Sequence, residues 1–244
     1  MAEIRDIECV VFDVLGTLVD EPRGLRAAIR EAVPVPEGTS GEESGDAFVD
    51  ELLAVWQRHV EREQQRIAQG ERPYAGTEAI DAEAARRVAD RAGLTDPAAV
   101  ARLATAGSRL PPWSDSVAGL ERLAERFLVL GLSNAGHTAL PRLNAYAGLR
   151  WHQALSSETV LAYKPAPEVY QLAVDTAGCP PERVLMAAAH AWDLRGAQAS
   201  GMRTAYVRRP VGDPPAASDT FDWHVDDLDD LVTALTASGT SRRS

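Results

Sequence analysis

With 244 residues, 45% of them apolar, the chain can bury the core of one large domain, or of a core domain carrying a smaller insertion, which excludes disorder as the default. Its 36 acidic residues outnumber 25 basic ones and leave a formal charge of −11. That sign argues against a nucleic-acid footprint and against docking on an anionic membrane, and favours a small soluble partner.

Residues 8 to 13 form a β-rich run that ends at Asp13 and leads into the glycine turn of VLGTLVD, as expected of a buried central strand delivering an acid at its carboxyl end. No comparable β run follows until residue 127. In between lie helical patterns over 22–33, 45–70, 76–92 and 97–107. The turn-rich PVPEGTSGEESGD, 34–46, reads as a flexible loop between the first two. After PPW at 111–113 the pattern alternates: helix 115–125, strand 127–133, helix 138–147, strand 152–156, helix 166–177, strand 183–189, helix 192–200, strand 204–208 and a helix near 227–236. Alternation of this kind predicts an α/β fold, a Rossmann-like parallel sheet covered on both faces. The helical block after the first strand reads as an inserted α-helical cap at 20–110, with 1–19 and 111–244 as the core domain. Ligands of open α/β sheets sit outside the carboxyl ends of the strands, so the cap is expected to close over that edge. The tail ASGTSRRS has the composition of a frayed terminus.

Polar groups stand at four predicted strand ends: Asp13 with Thr17, Ser133 with Asn134 in LGLSNAG, Lys164 in AYKPAPEVY, and His190 with Asp193 in AAAHAWD. Each alone is weak, since an acid or an SN pair before a helix is a good capping residue whatever its function. Together, at successive ends of one parallel sheet, they point to a site. Lys164 is also the single lysine among the 25 basic residues. Its compact ammonium differs in shape and titration from a guanidinium fork. Cys9 and Cys179 are too few and too far apart for a disulfide framework or a cysteine zinc site. With no apolar stretch approaching the roughly 20 residues that span a bilayer and a charged start, MAEIRDIE, lacking a signal-peptide apolar region, the expected location is the cytoplasm.

The four motifs, from FDVLGTL through SNAG and YKPAPEVY to AAAHAWDLRGA, together with the helical insertion, resemble the haloacid dehalogenase superfamily, and within it the L-2-haloacid dehalogenases. The resemblance covers most of the chain. It implies that Asp13 is the nucleophile, that Thr17 and Ser133 hydrogen-bond it, that Lys164 pairs with it and that Asn134 helps bind substrate. It implies a role for Asp193 in hydrolysing the resulting ester, puts Tyr170 and Trp192 at pocket positions, and suggests a homodimer. Tyr170 and Trp192 read equally well as ordinary core aromatics.

Most of this superfamily moves phosphoryl groups, with an acid two residues after the nucleophile to protonate the departing alkoxide, an effect worth about 10²–10⁴-fold. Here that place holds Leu15, counted instead among the substrate-binding residues. Four residues before Asp193, where a further acid commonly holds Mg²⁺, stands Ala189. A hard cation needs oxygen ligands, so neither a metal nor any other cofactor is expected. A halide leaves as a stable anion and needs no proton, which favours displacement of halide from a small 2-haloalkanoic acid through an ester on Asp13.

Two positions depart from the family. Its asparagine three residues before the last acid is His190 here, whose unperturbed pKa near 6.5 suits a base that activates water. Its cap arginine follows a tryptophan; in AVWQRHVER that place belongs to Gln57, and Arg58 is turned about 100° around the helix. Either residue is a candidate for the substrate carboxylate, although Arg58, Arg62 and Arg66 also recur as a solvated stripe. These departures leave open a related hydrolase opening a carbon–nitrogen bond, or a non-catalytic binding protein on the same fold.

Overall fold

The computed structural model describes residues 6–34 and 42–237. The chain divides into two units. One comprises Met1–Asp20, Pro112–Asn134 and Gly148–Ser244; the other comprises Glu21–Pro111 and Ala135–Ala147.

The first unit is built on six parallel strands, β1 (Cys9–Asp13), β2 (Leu128–Ser133), β3 (Gln153–Ser156), β4 (Val184–Ala188), β5 (Arg203–Val207) and β6 (Trp223–Val225), in the order β3-β2-β1-β4-β5-β6. Every residue of β1 and β4 is buried, on both alternating sets, as strands covered on two faces require. On one face Cys9, Val11, Leu132 and Met186 meet Val169, Tyr170, Leu194 and Ala197 of α7 (Pro167–Ala177) and α8 (Ala191–Ala199). Right-handed crossovers send α5 (Ser116–Ala124) to the other face. There it meets α9 (Leu228–Thr236), so closely that a Cβ on Gly119 would lie 2.4 Å from Leu228 Cδ2. The strand order reverses beside β1, and in open α/β sheets that switch point is where a crevice forms.

The helical unit contains α1 (Glu21–Ala32), α2 (Glu42–Ala68), α3 (Thr77–Ala92), α4 (Pro97–Ala104) and α6 (Ala139–Ala147), the last in a stretch that the sequence pattern assigns to the core. Val49, Leu52, Leu53 and Trp56 of α2, and Ile80, Ala84 and Val88 of α3, are buried at helical spacing. Asp96 starts α4 by accepting from the N–H groups of Ala98 (2.9 Å) and Ala99 (3.2 Å).

Two expectations change. Of the segment read as a loop, 35–41 lies outside the described residues, but Glu42 already begins α2, which the apolar stripe from Val49 onward carries. The sequence reading also lacks β6, an edge strand of three residues. The tail from 238 is outside the described residues. Among the described residues no helix is long and apolar enough to cross a membrane.

Candidate active site

β1 is held between β2 and β4 in parallel register, so Asp13 emerges beside Leu132, next to the end of β2. Asp13 is 5% exposed, Lys164 6% and Asp193 0%, so their charges must be answered by protein groups. Lys164 Nζ lies 2.6 Å from Asp13 Oδ1 and 2.6 Å from Asp193 Oδ2, and donates to the Leu132 carbonyl at 3.3 Å. Its backbone N–H is held by Asn134 Oδ1 at 2.9 Å. Asp13 Oδ2 accepts from Thr17 Oγ1 at 2.7 Å and lies 3.1 Å from His190 Nδ1. The Thr17 oxygen in turn accepts from the Ala189 N–H at 2.8 Å, which fixes its proton on Asp13. Asp193 Oδ1 takes the Tyr170 hydroxyl at 2.6 Å.

Gly16 makes this arrangement sterically accessible. Its φ is +81°, and a Cβ there would lie 2.6 Å from His190 Cε1, so the turn after the nucleophile must be glycine for the ring to rest on it. The His190 ring then faces Trp192 at 5.8 Å between centroids.

Two carboxylates share one ammonium, and their titrations separate. Burial pushes the Asp13 carboxyl up, but the Lys164 charge and the His190 hydrogen bond overcome it and hold Asp13 below the usual carboxylate range. Asp193 is raised, because burial and the negative Asp13 outweigh Lys164. Burial would lower His190, yet its hydrogen bond to Asp13 and the Asp13 charge raise it.

Of the sequence candidates, Asp13, Thr17, Lys164, His190 and Asp193 are joined by hydrogen bonds or ion pairs, and Asn134 reaches the Lys164 backbone. Ser133 is buried at the end of β2. Leu15, Asn134, His190 and Trp192 are partly exposed and able to meet a small molecule. Tyr170, expected to line the pocket, is wholly buried in the core cluster with its hydroxyl spent on Asp193; it acts beneath the site. Gln57 and Arg58 belong to the helical unit, where Gln57 is half-buried. Arg58 is exposed and borders a groove of about 450 Å³ with His59, Arg62, Gln65 and Arg87.

Three supports are invisible to motif reading. The Arg209 Nε donates to the Thr17 carbonyl at 2.9 Å and its Nη1 to Asp115 at 2.8 Å, while the Trp113 indole N–H donates to the Gly16 carbonyl at 3.0 Å. Arg209 and Trp113 grip the turn after Asp13 through its carbonyls, which any sequence supplies, and Asp115 holds Arg209 in place. Only the burial of Arg209, an arginine 6% exposed at its side chain, distinguishes it from the others, and burial is not a local signal. Among the described residues no group of three or more His, Cys, Asp or Glu is arranged to hold a metal ion.

A family model described as haloacid dehalogenase-like hydrolase matches residues 7–201. The chain is 31% identical over 222 residues to the (S)-2-haloacid dehalogenase 4A of Burkholderia cepacia, covering 87% of each. It superposes on a solved L-2-haloacid dehalogenase with a TM-score of 0.83 at 30% identity, over 95% of this chain and 100% of the other. A solved defluorinating L-2-haloacid dehalogenase gives 0.81 at 29% identity, over 94% and 95%.

Proposed function

Because this chain belongs to the haloacid dehalogenase-like hydrolases, we propose that it hydrolyses the carbon–halide bond of small 2-haloalkanoic acids, by way of an ester on Asp13 and without a metal. The observation that carries the reading is Lys164 Nζ, 2.6 Å from both Asp13 and Asp193, in a site where the acid position after the nucleophile is Leu15. The ammonium supplies the positive charge that a divalent cation would otherwise bring, and the side chains of Leu15 and Ala189 offer no carboxylate to hold one.

In the first step an Asp13 carboxylate oxygen attacks the carbon bearing the halogen. The carbon–oxygen bond forms as the carbon–halogen bond breaks, and the halide departs with the electron pair. Thr17 and Lys164 hold one carboxylate rotamer, which favours attack over free tumbling. In the second step water adds to the Asp13 carboxyl carbon. The tetrahedral oxyanion is met by Lys164, and collapse breaks the bond to the substrate oxygen, which receives the proton drawn from the attacking water, so that a 2-hydroxy acid leaves and the Asp13 carboxylate is restored.

His190 is the base for that water. While Asp13 is anionic, its charge and hydrogen bond hold the imidazole proton in place. Esterification removes that negative charge. Burial and Lys164, both of which favour a neutral ring, then prevail over the weaker pull of Asp193, so the ring gives up that proton to solvent and becomes able to take one from the attacking water. The first step thus prepares the base for the second. Asp193 is less suited to the task, because both of its carboxylate oxygens already accept from Lys164 and Tyr170.

Halide release from 2-chloropropionate and from chloro- and fluoroacetate tests the reading, with Asp13→Asn as control. The parent protein should release halide at neutral pH after treatment with a chelator, and the variant should not. Release by both proteins at the same rate, or by neither, contradicts it.

A further inference from the structure

Helix α8 begins at His190, in the N-cap position. A residue in that place usually caps its helix with its own side chain, which is why Ser, Thr, Asp and Asn are preferred there. His190 makes no side-chain capping bond, its ring being turned to Asp13. The cap comes from Asp213, on the loop after β5. Asp213 Oδ2 accepts from the Trp192 N–H at 3.0 Å, where an N-cap side chain would normally bond. Its backbone carbonyl accepts from the Ala191 N–H at 2.8 Å, and its own N–H donates to the Ala189 carbonyl at 3.1 Å. These three bonds bracket His190, and a parallel bridge pairs the two residues directly. The preceding Gly212 admits the loop: its φ is +145°, and a Cβ there would lie 2.5 Å from the Ala189 carbonyl oxygen.

We propose that Asp213 is a positioning residue for His190, capping α8 from another loop so that the residue at the helix start can point its imidazole at Asp13. The proposal rests on the reading of His190 as the base. Nothing in the motif around His190 provides for its own helix start; Asp213 satisfies those N–H groups and fixes the backbone on both sides of the ring. Loss of the Asp213 carboxylate therefore acts on the water-activating step more than on the displacement.

Asp213→Ala, Asp213→Asn, Gly212→Ala and His190→Ala test this in single turnovers with saturating 2-chloropropionate, quenched in acid, with the Asp13 peptide weighed to follow the ester. In Asp213→Ala, ester hydrolysis should slow about 10- to 100-fold while ester formation changes far less, so that the ester accumulates. The rising limb of the hydrolysis rate with pH should also move or flatten. Asp213→Asn keeps an acceptor for the Trp192 N–H and should recover most of the rate. If Asp213→Ala does not fold, Gly212→Ala, which pushes the same loop away from Ala189, decides by the same readout. Slow hydrolysis in His190→Ala with parental hydrolysis in the Asp213 or Gly212 variant overturns the positioning role alone. Parental hydrolysis in His190→Ala overturns the base assignment, and the positioning role with it.

Discussion

Both units bury carboxylates against cations, and the two clusters are balanced differently. In the helical unit Glu63 accepts from Arg62 at 2.9 Å, Arg66 at 2.9 Å and Arg72 at 2.8 Å, and Glu83 accepts from Arg72 at 2.7 Å and lies 3.0 Å from His59. Cations are in surplus around Glu63, and the Arg72 hydrogen bond foremost lowers its carboxyl to about 2. At the strand ends one ammonium serves two acids: burial and the Asp13 charge push Asp193 up, while against burial the Lys164 charge and the His190 hydrogen bond pull Asp13 down. The first arrangement is a brace with every charge answered. In the second, one ammonium faces two buried acids, and the Asp13 carboxylate raises the neighbouring His190.

Removing the central cation from each cluster should therefore have different consequences. Lys164→Met strands two buried acids and should cost about 3–5 kcal/mol of stability, together with a loss of turnover of about 10²–10³-fold or more. Arg72→Met should cost about 1.5–3 kcal/mol, because Glu63 keeps two other arginines, and should leave turnover near the parent value. Urea unfolding and halide release on both variants check the pair. Equal losses of activity would break the distinction.

The two histidines sharpen it. His190, faced by Asp13, Lys164 and Asp193, is raised from 6.5 in the fold. Its contribution to stability is thus complete below the unfolded value and fades as pH rises through the folded one. His59, faced by Glu63, Glu83, Arg62 and Arg87, is lowered from 6.5, first by burial. Its contribution is present above the unfolded value and is lost as pH falls through the folded one. In melts, His190→Ala should thus lose more relative to the parent at about pH 5.5 than at about pH 8.5, and His59→Ala the reverse. The same sign for both would contradict the charge assignment.

The smallest effect is expected on α2. Arg58 is exposed beside Arg62 and Arg87, and Arg58→Ala should change stability by no more than about 0.5 kcal/mol and leave KM for 2-chloropropionate near the parent value. Gln57→Ala should raise KM by more. A larger KM change from Arg58 would restore it as the carboxylate partner.

The strand-end polar groups were legible because the apolar runs of β1 and β2 stop at Asp13 and Ser133 and that of β4 is followed two residues later by His190, and Lys164 because no other lysine is present. The inserted helices were legible from the absence of any β run between them. Trp223–Val225 was not, since it is three residues long with His224 exposed, and it is a strand only through its backbone pairing with β5. Tyr170 was ambiguous because its spacing is that of a core residue, which it is; only the position of Asp193 gives its hydroxyl a task. Asp213, Arg209 and Trp113 act on backbone groups far away in sequence, so no local pattern marks them. The fold was legible from periodicity, whereas the supports of the site required the tertiary pairing.

In the proposed mechanism Asp13 carries the substrate as an ester and water attacks the Asp13 carboxyl carbon. A single turnover of 2-chloropropionate in ¹⁸O-labelled water, followed by mass measurement of the Asp13 peptide and of the product, tests it directly. An ester on Asp13 gives label in the Asp13 carboxylate and an unlabelled hydroxyl on the first 2-hydroxypropionate released. Label in that product hydroxyl with none in Asp13 would mean that water displaces the halide directly, and would contradict it.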